Sequence, residues 1–233
     1  MKIKYIVFAG LAVALIYRVS FAEDKPAPKD ENDQISYSVG YQIGGDFKRQ
    51  GVDFSPEMLV KGIRDAVSDT EPMMTPEEMS KTLVELKRKI IALQQDERKK
   101  LAENNRAEGN KFLQDNSGKE GVITLPSGLQ YKVIQEGSGT TPKAADTVTV
   151  HYRGTFIDGT EFDSSYSRGK PATFGVDRVI KGWTEALQLM KEGATWRLFI
   201  PPDLAYGEQV TGRIGPNSTL VFDLDLISVT SGE

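Results

Sequence analysis

Val148-Thr-Val-His-Tyr-Arg-Gly154, Asp158-Gly-Thr-Glu-Phe-Asp-Ser-Ser165, Val179-Ile-Lys-Gly-Trp183, Ala205-Tyr-Gly207 and Leu220-Val-Phe-Asp223 follow one another in a single region and decide how the chain is read. They set Tyr152, Phe162, Asp163, Trp183, Tyr206 and Phe222 among strand and turn signals. Tyr152 shares its parity with Val148 and Val150, and Phe222 with Leu220 and Leu224, so both rings face the buried side of a sheet. His151 has the other parity and faces outward. Around these words, Tyr131 and Val133, then Trp196, Leu198 and Ile200, then Leu220, Phe222, Leu224 and Leu226 alternate with polar residues as strands do. Trp183, Ala186, Leu187 and Met190 fall at i, i+3, i+4 and i+7, which is one helix, closed by Gly193. The fold class is therefore α+β, an antiparallel sheet wrapped around one short helix.

Five aromatic side chains, Tyr152, Phe162, Trp183, Tyr206 and Phe222, make a core as readily as a pocket. Two features favour the pocket. Asp163 follows Phe162 after an Asp158-Gly159 turn, and a buried acid needs partners such as a tyrosine hydroxyl. Tyr206 sits in a loop rather than on a periodic strand, so its ring can wall a concavity, and loops on rigid scaffolds collect binding residues.

Upstream the periodicity changes. Lys2 and Lys4 precede an apolar run over residues 5–17, and Ser20-Phe-Ala22 suits a signal peptidase, so residues 1–22 read as a cleaved signal peptide and the protein as exported. Residues 23–33, with Pro26, Pro28 and many charges, read as a flexible leader. From Gln34, the apolar Ile35, Val39, Ile43 and Phe47 make a helical stripe, with Gly40 and Gly44 beside it suggesting a close helix contact. Ser55-Pro56 starts a second helix, and Thr75-Pro-Glu-Glu78 a third through a capping box. No Gly or Pro interrupts residues 77–108, about 50 Å of helix at 1.5 Å per residue. Its stripe of Met79, Leu83, Leu86, Ile90 and Leu93 then fails, so the second half is expected to project through solvent, and Gly109 and Ser117-Gly118 to loosen its end. Residues 34–118 thus form a helical region whose own core is too small for comfortable stability, and residues 127–230 the sheet domain.

The 233 residues carry a net charge of -4 with no dense basic patch, which argues against a nucleic-acid partner. One histidine and no cysteine provide neither a thiol nucleophile nor a zinc ligand set, and no cofactor is expected. A hydrolase built on Ser164 or Ser165 with His151 lacks a Gly-x-Ser-x-Gly elbow.

From about Ser127 to Val229 the motifs quoted above, in this order, resemble the FKBP-type peptidyl-prolyl isomerases. Ser36-Tyr-Ser-Val-Gly40-Tyr-Gln-Ile-Gly44 and Gly62-Ile-Arg-Asp-Ala66 look like the dimerising N-terminal domain of the macrophage infectivity potentiator (Mip) branch, as do Gly169-Lys-Pro-Ala-Thr-Phe174 and Ile214-Gly-Pro-Asn217. The resemblance implies a catalytic pocket with Trp183 as floor, Tyr152, Phe162 and Phe222 as walls, and Val179 with Ile180 as an edge. It implies that the Ile180 N–H and the Tyr206 hydroxyl bind substrate carbonyls, that Asp163 lies near the twisted amide, and that Ile214, Ala205 and Phe174 complete the substrate site. It also implies homodimers, proline-containing unfolded or folding proteins as partners, macrolide inhibitors as possible ligands, and a periplasmic or outer-membrane-associated location. Ala172, standing where small members often carry an aromatic, leaves the preferred residue before proline and the macrolide affinity open. The rival class is a dimeric holdase chaperone that grips unfolded exported proteins, with isomerisation incidental.

Overall fold

The computed structural model describes residues 27–232; the expected signal peptide and its cleavage after Ala22 lie outside them. The chain divides into two compact units at the Ser55–Pro56 junction.

In the first unit, α1 (Glu31–Arg49) begins inside the segment expected to be a flexible leader. The reason is local: the Asp30 carboxylate accepts the Asp33 N–H at 2.9 Å, and Glu31 and Asp33 place negative charge at the positive end of the helix dipole. Gly51, at φ 64°, ends it, and the Phe47 and Phe54 rings meet 4.8 Å apart just beyond. α1 buries none of its residues. Nothing lies within 4 Å of where a Cβ on Gly40 or Gly44 would stand.

The second unit holds α2 (Pro56–Val67), which also buries none of its residues, and α3 (Pro76–Ser117). The capping box forms as expected: Thr75 Oγ1 accepts the Glu78 N–H, and Glu78 accepts the Thr75 N–H at 2.8 Å. α3 runs 42 residues, about 63 Å at 1.5 Å per residue, passing straight through Gly109. Two expectations fail here. The second half of α3 does not project through solvent but lies on the sheet domain, and Gly109 does not loosen the helix but permits that contact. A Cβ at Gly109 would stand 2.2 Å from Thr219 Oγ1. Phe112 meets Phe199 with centroids 6.0 Å apart, and buried Asn116 donates to Gln130 Oε1 at 2.9 Å. The stripe continues as Leu101, Asn105, Gly109, Phe112 and Asn116, at spacings of four, four, three and four. It is spelled largely in polar and small residues.

The sheet comprises β1 (Val122–Thr124), β2 (Gln130–Gln135), β3 (Thr147–Phe156), β4 (Glu161–Ser164), β5 (Ala172–Gly175), β6 (Thr195–Ile200) and β7 (Leu220–Thr230). Its order is β1-β2-β6-β7-β3-β4, with β5 also on β3, and every pairing is antiparallel. The sheet is thus antiparallel throughout, as its alternation predicts, and curves over α4 (Lys181–Leu187). Val148, Val150 and Tyr152 from β3, Leu220, Phe222, Leu224 and Leu226 from β7, and Trp183, Leu187 and Met190 from α4 and its end share one buried cluster. α4 can sit this close because Gly182 has no side chain; a Cβ there would lie 2.6 Å from Ile200 Cγ2.

Candidate active site

At the open end of this core the side chains do not close, and a cavity of about 380 Å³ remains. Tyr152, Phe162, Asp163, Phe174, Arg178, Val179, Ile180, Trp183, Tyr206 and Phe222 line it. β3, β4, β5 and β7 supply Tyr152, Phe162 with Asp163, Phe174, and Phe222. Val179 and Ile180 lead into α4, which carries Trp183, and Tyr206 comes from the loop after β6.

Trp183 is the hub of the aromatic set. The rings of Tyr152, Phe222 and Phe174 stand at 82°, 82° and 87° to it, with centroids 5.2, 5.3 and 5.9 Å away. Edge-on contacts of this kind suit aromatic quadrupoles and leave a flat floor with upright walls. Phe162 meets Phe222 at 86° and 5.6 Å. Those last two rings approach because residue 154 is glycine. A Cβ there would lie 2.7 Å from Phe162 Cζ and 2.8 Å from Phe222 Cε1.

The polar side of the cavity is built on Asp163. The Tyr152 hydroxyl donates to Asp163 Oδ2 at 2.6 Å, which supplies the tyrosine partner expected for this acid. Arg168 was not anticipated. Its guanidinium donates to Asp163 Oδ1 and, at 2.6 Å, to the Tyr152 oxygen, while lying over the Tyr152 ring 5.4 Å from its centroid. Burial pushes the Asp163 carboxyl up, but the Tyr152 hydroxyl and the Arg168 charge outweigh it and the net shift is down. Asp163 is therefore a carboxylate at neutral pH. Burial, then the Asp163 hydrogen bond, raise the Tyr152 phenol, and burial followed by the Asp163 charge raise that of Tyr206.

Two free donors complete the arrangement. Ile180 precedes α4 and its carbonyl accepts from the Trp183 and Thr184 amides at 2.9 and 3.1 Å. Its own N–H donates to no group among the described residues. No hydrogen bond contributes to the Tyr206 shift.

Two expected residues fall elsewhere. Ile214 is buried in the core cluster, in a tight turn closed by reciprocal backbone bonds with Thr211 at 2.9 and 3.0 Å; Ala205 is packed against the same core. Neither is among the side chains that line the cavity. Arg178, by contrast, does line it and carried no signal beyond its position before Val179.

The serine-histidine pair exists but faces away from catalysis. His151 Nδ1 lies 2.9 Å from Ser165 Oγ, and its ring stacks on Tyr166. Ser165 is fully buried and its Oγ accepts the Tyr152 N–H at 2.8 Å, so it ties β3 to the turn after β4 and has no path to a substrate. Among the described residues no cluster of histidine and acidic side chains could hold a metal ion.

Residues 138–227 match the family described as FKBP-type peptidyl-prolyl cis-trans isomerase, and residues 32–133 match the domain amino-terminal to it. Outer membrane protein MIP of Legionella longbeachae is 47% identical over 98% of both chains. The peptidyl-prolyl cis-trans isomerase Mip of Coxiella burnetii is 43% identical over 97% of this chain and 98% of its own. The crystal structure of FkpA from Escherichia coli superposes with a TM-score of 0.74 at 37% identity, covering 89% of this chain and 100% of that one. With matches spanning both the helical region and the sheet domain, the chain belongs to the FKBP-type peptidyl-prolyl cis-trans isomerases, in their Mip branch.

Proposed function

We infer that this chain accelerates rotation about X-Pro bonds in proline-containing proteins, with the cavity on Trp183 as its active site. The single observation that carries this is the combination of an apolar aromatic box with unpaired donors at its rim. A planar X-Pro amide resists rotation by about 18–20 kcal/mol because twisting breaks its resonance. The twisted amide is less dipolar, so the rings of Trp183, Tyr152, Phe162 and Phe222 favour it over the planar form that water solvates well. The proline ring seats on Trp183. The Ile180 N–H and the Tyr206 hydroxyl donate to the flanking carbonyls, and bonds that strengthen only on twisting add differential binding. Asp163 faces the carbonyl carbon as a fixed negative charge, held by Tyr152 and Arg168. A millionfold acceleration asks about 8 kcal/mol of all these terms together.

The test is the cis/trans exchange rate of a short X-Pro peptide with the wild type, Asp163→Leu and Phe222→Ala, each checked for folding. Strong acceleration by the wild type and its loss in both variants is the expected result. A folded wild type that leaves the rate untouched yet suppresses aggregation of an unfolded protein would transfer the function to the holdase reading.

A second observation extends the proposal to the assembly. Ile35, Tyr37, Val39 and Tyr41 on α1, and Met58, Ile63 and Val67 on α2, are all more than half exposed. Met58, Met73, Met74 and Met79 line an apolar cleft of about 370 Å³. Residues 34–118 act as a dimerisation arm that buries such faces against a second copy, and residues 127–230 as the isomerase domain. The working place is outside the cytoplasm, as the name of the Legionella longbeachae relative suggests. A monomer by light scattering at micromolar concentration would overturn the dimer.

A further inference from the structure

We propose that the second half of α3 positions Tyr206 for catalysis, with Arg106 and Asn217 as the positioning residues that connect them. The proposal rests on the reading of Tyr206 as a substrate-binding hydroxyl.

Tyr206 lies in a long connection between β6 and β7 that no strand pairing restrains, apart from the single bridge between Thr211 and Ile214. Beyond its own turns and the packing of Ile214 and Ala205 on the core, the connection is held by α3. Arg98 donates to the Glu208 carbonyl at 2.6 Å, two residues beyond Tyr206. Arg106 lies 3.5 Å from the Asp203 carboxylate, three residues before it. Asn105 donates to the Pro216 carbonyl at 2.8 Å. The helix therefore grips the connection on both sides of the ring.

Asn217 is where these contacts converge. It is buried and has φ 53°, a left-handed conformation that asparagine and glycine tolerate best. Its Oδ1 accepts from Arg106 at 3.1 Å and its Nδ2 donates to the Ala102 carbonyl at 3.4 Å. Its own backbone N–H donates to the Gly207 carbonyl at 2.7 Å. Two bonds thus link α3 to one side chain, and a third runs from that residue to the carbonyl of Gly207, the residue immediately after Tyr206.

The chemistry needs such support. A hydroxyl that must meet a carbonyl only as the amide twists loses its advantage if its loop wanders by an ångström. Among the described residues the Tyr206 hydroxyl has no hydrogen-bond partner to fix it. Contacts from Arg98 and, about two turns further along the same helix, from the adjacent Asn105 and Arg106 add what the loop's own turns do not supply.

The experiment is steady-state isomerisation of an X-Pro peptide by the full chain, with kcat and KM separated, for Arg106→Ala, Asn217→Gly, Tyr206→Phe and the Arg106→Ala/Tyr206→Phe double variant. Asn217→Gly keeps the left-handed backbone and its bond to Gly207 and removes only the links to α3. In Arg106→Ala and in Asn217→Gly, kcat is expected to fall roughly twofold to tenfold, the worth of one or two partly exposed hydrogen bonds, with KM nearly constant. The Tyr206 ring resonances of isotope-labelled tyrosine should shift while those of Tyr131, on β2 and outside the cavity lining, stay put. Adding Arg106→Ala to Tyr206→Phe should cost nothing further, because the positioned hydroxyl is already gone. If Tyr206→Phe slows turnover but Arg106→Ala and Asn217→Gly do not, or if the losses simply multiply in the double variant, the positioning is overturned. If Tyr206→Phe itself keeps the wild-type kcat, the role given to its hydroxyl falls and the positioning falls with it, while the rest of the pocket stands.

Discussion

The sheet domain and the two N-terminal helices have similar hydrophobic patterning and opposite burial. β3, β7 and α4 bury Val148, Val150, Leu187, Leu220 and Leu224 completely. α1 and α2 carry stripes that are just as regular, yet neither buries a single residue. An amphipathic pattern shows which face an element would bury; whether a mate exists within the same chain is a separate question. Around α4 the chain supplies that mate by curving seven strands over it. For α1 and α2 it leaves apolar faces that a second copy can cover.

The sharpest way to break this comparison is to make the same kind of deletion in both regions. Leu224→Ala removes a fully buried side chain, and the loss of transfer energy plus the residual cavity should cost the sheet domain about 2–5 kcal/mol. Both tryptophans are buried in that domain, so their fluorescence in a denaturant titration reports it directly. Ile63→Ala trims a side chain that is 52% exposed, and that tryptophan transition should move by less than about 0.5 kcal/mol. Ile63→Ala should act on assembly instead, raising the concentration at which light scattering detects a dimer. Equal shifts of the tryptophan transition in the two variants would mean that the regions are not energetically distinct.

A smaller effect tests how α3 meets the sheet domain, and its sign is the informative part. Glycine inside a helix ordinarily costs about 1 kcal/mol relative to alanine, so Gly109→Ala would stabilise a helix standing free in solvent. Here the new methyl would meet Thr219 Oγ1 at 2.2 Å, and either α3 or the β7 approach must shift. We expect net destabilisation of about 1–3 kcal/mol, read by the same titration. A gain in stability would mean that the second half of α3 stands off the sheet domain.

How far this arrangement was legible in the sequence depends on what kind of residue carries it. Tyr152 and Phe222 declare themselves because alternation with a period of two leaves their faces no choice, and Trp183 because it heads a stripe with Ala186, Leu187 and Met190. The packing of α3 was hidden because Asn105, Gly109 and Asn116 fill the stripe that meets the sheet domain with residues that a hydrophobic reading scores as solvent-facing. Asn105 bonds a backbone carbonyl and Asn116 a glutamine amide, and no periodicity announces a hydrogen bond. The start of α1 was hidden for a related reason: Asp30, Glu31 and Asp33 look like leader composition, and only the Asp30 cap reveals that they open a helix. The place of Ile214 was hidden because a loop has no parity, so nothing in its order says whether such a residue packs on the core or lines the cavity.

Arg168 belongs to the same hidden class, and it supports the smallest of the predicted effects. It lies in the turn after β4, and it supplies two of the interactions that hold Asp163 below its ordinary value of 3.8 against the opposing effect of burial. A carboxyl depressed in the folded state contributes stability that is present above its unfolded value, about 3.9, and that disappears as pH falls through the lower folded value. The wild-type isomerisation rate should therefore be flat through neutrality, with any loss due to Asp163 confined to pH below about 3.9. In Arg168→Met burial keeps pushing upward while the guanidinium's pull is gone, so the acid limb of the pH–rate profile should move towards neutral pH. The rate on the plateau should drop only modestly, because the Tyr152 hydroxyl still bonds the carboxylate and the aromatic walls are untouched. An acid limb that stays where the wild type has it would show that Arg168 merely rests on the rim and that Tyr152 alone sets the state of Asp163.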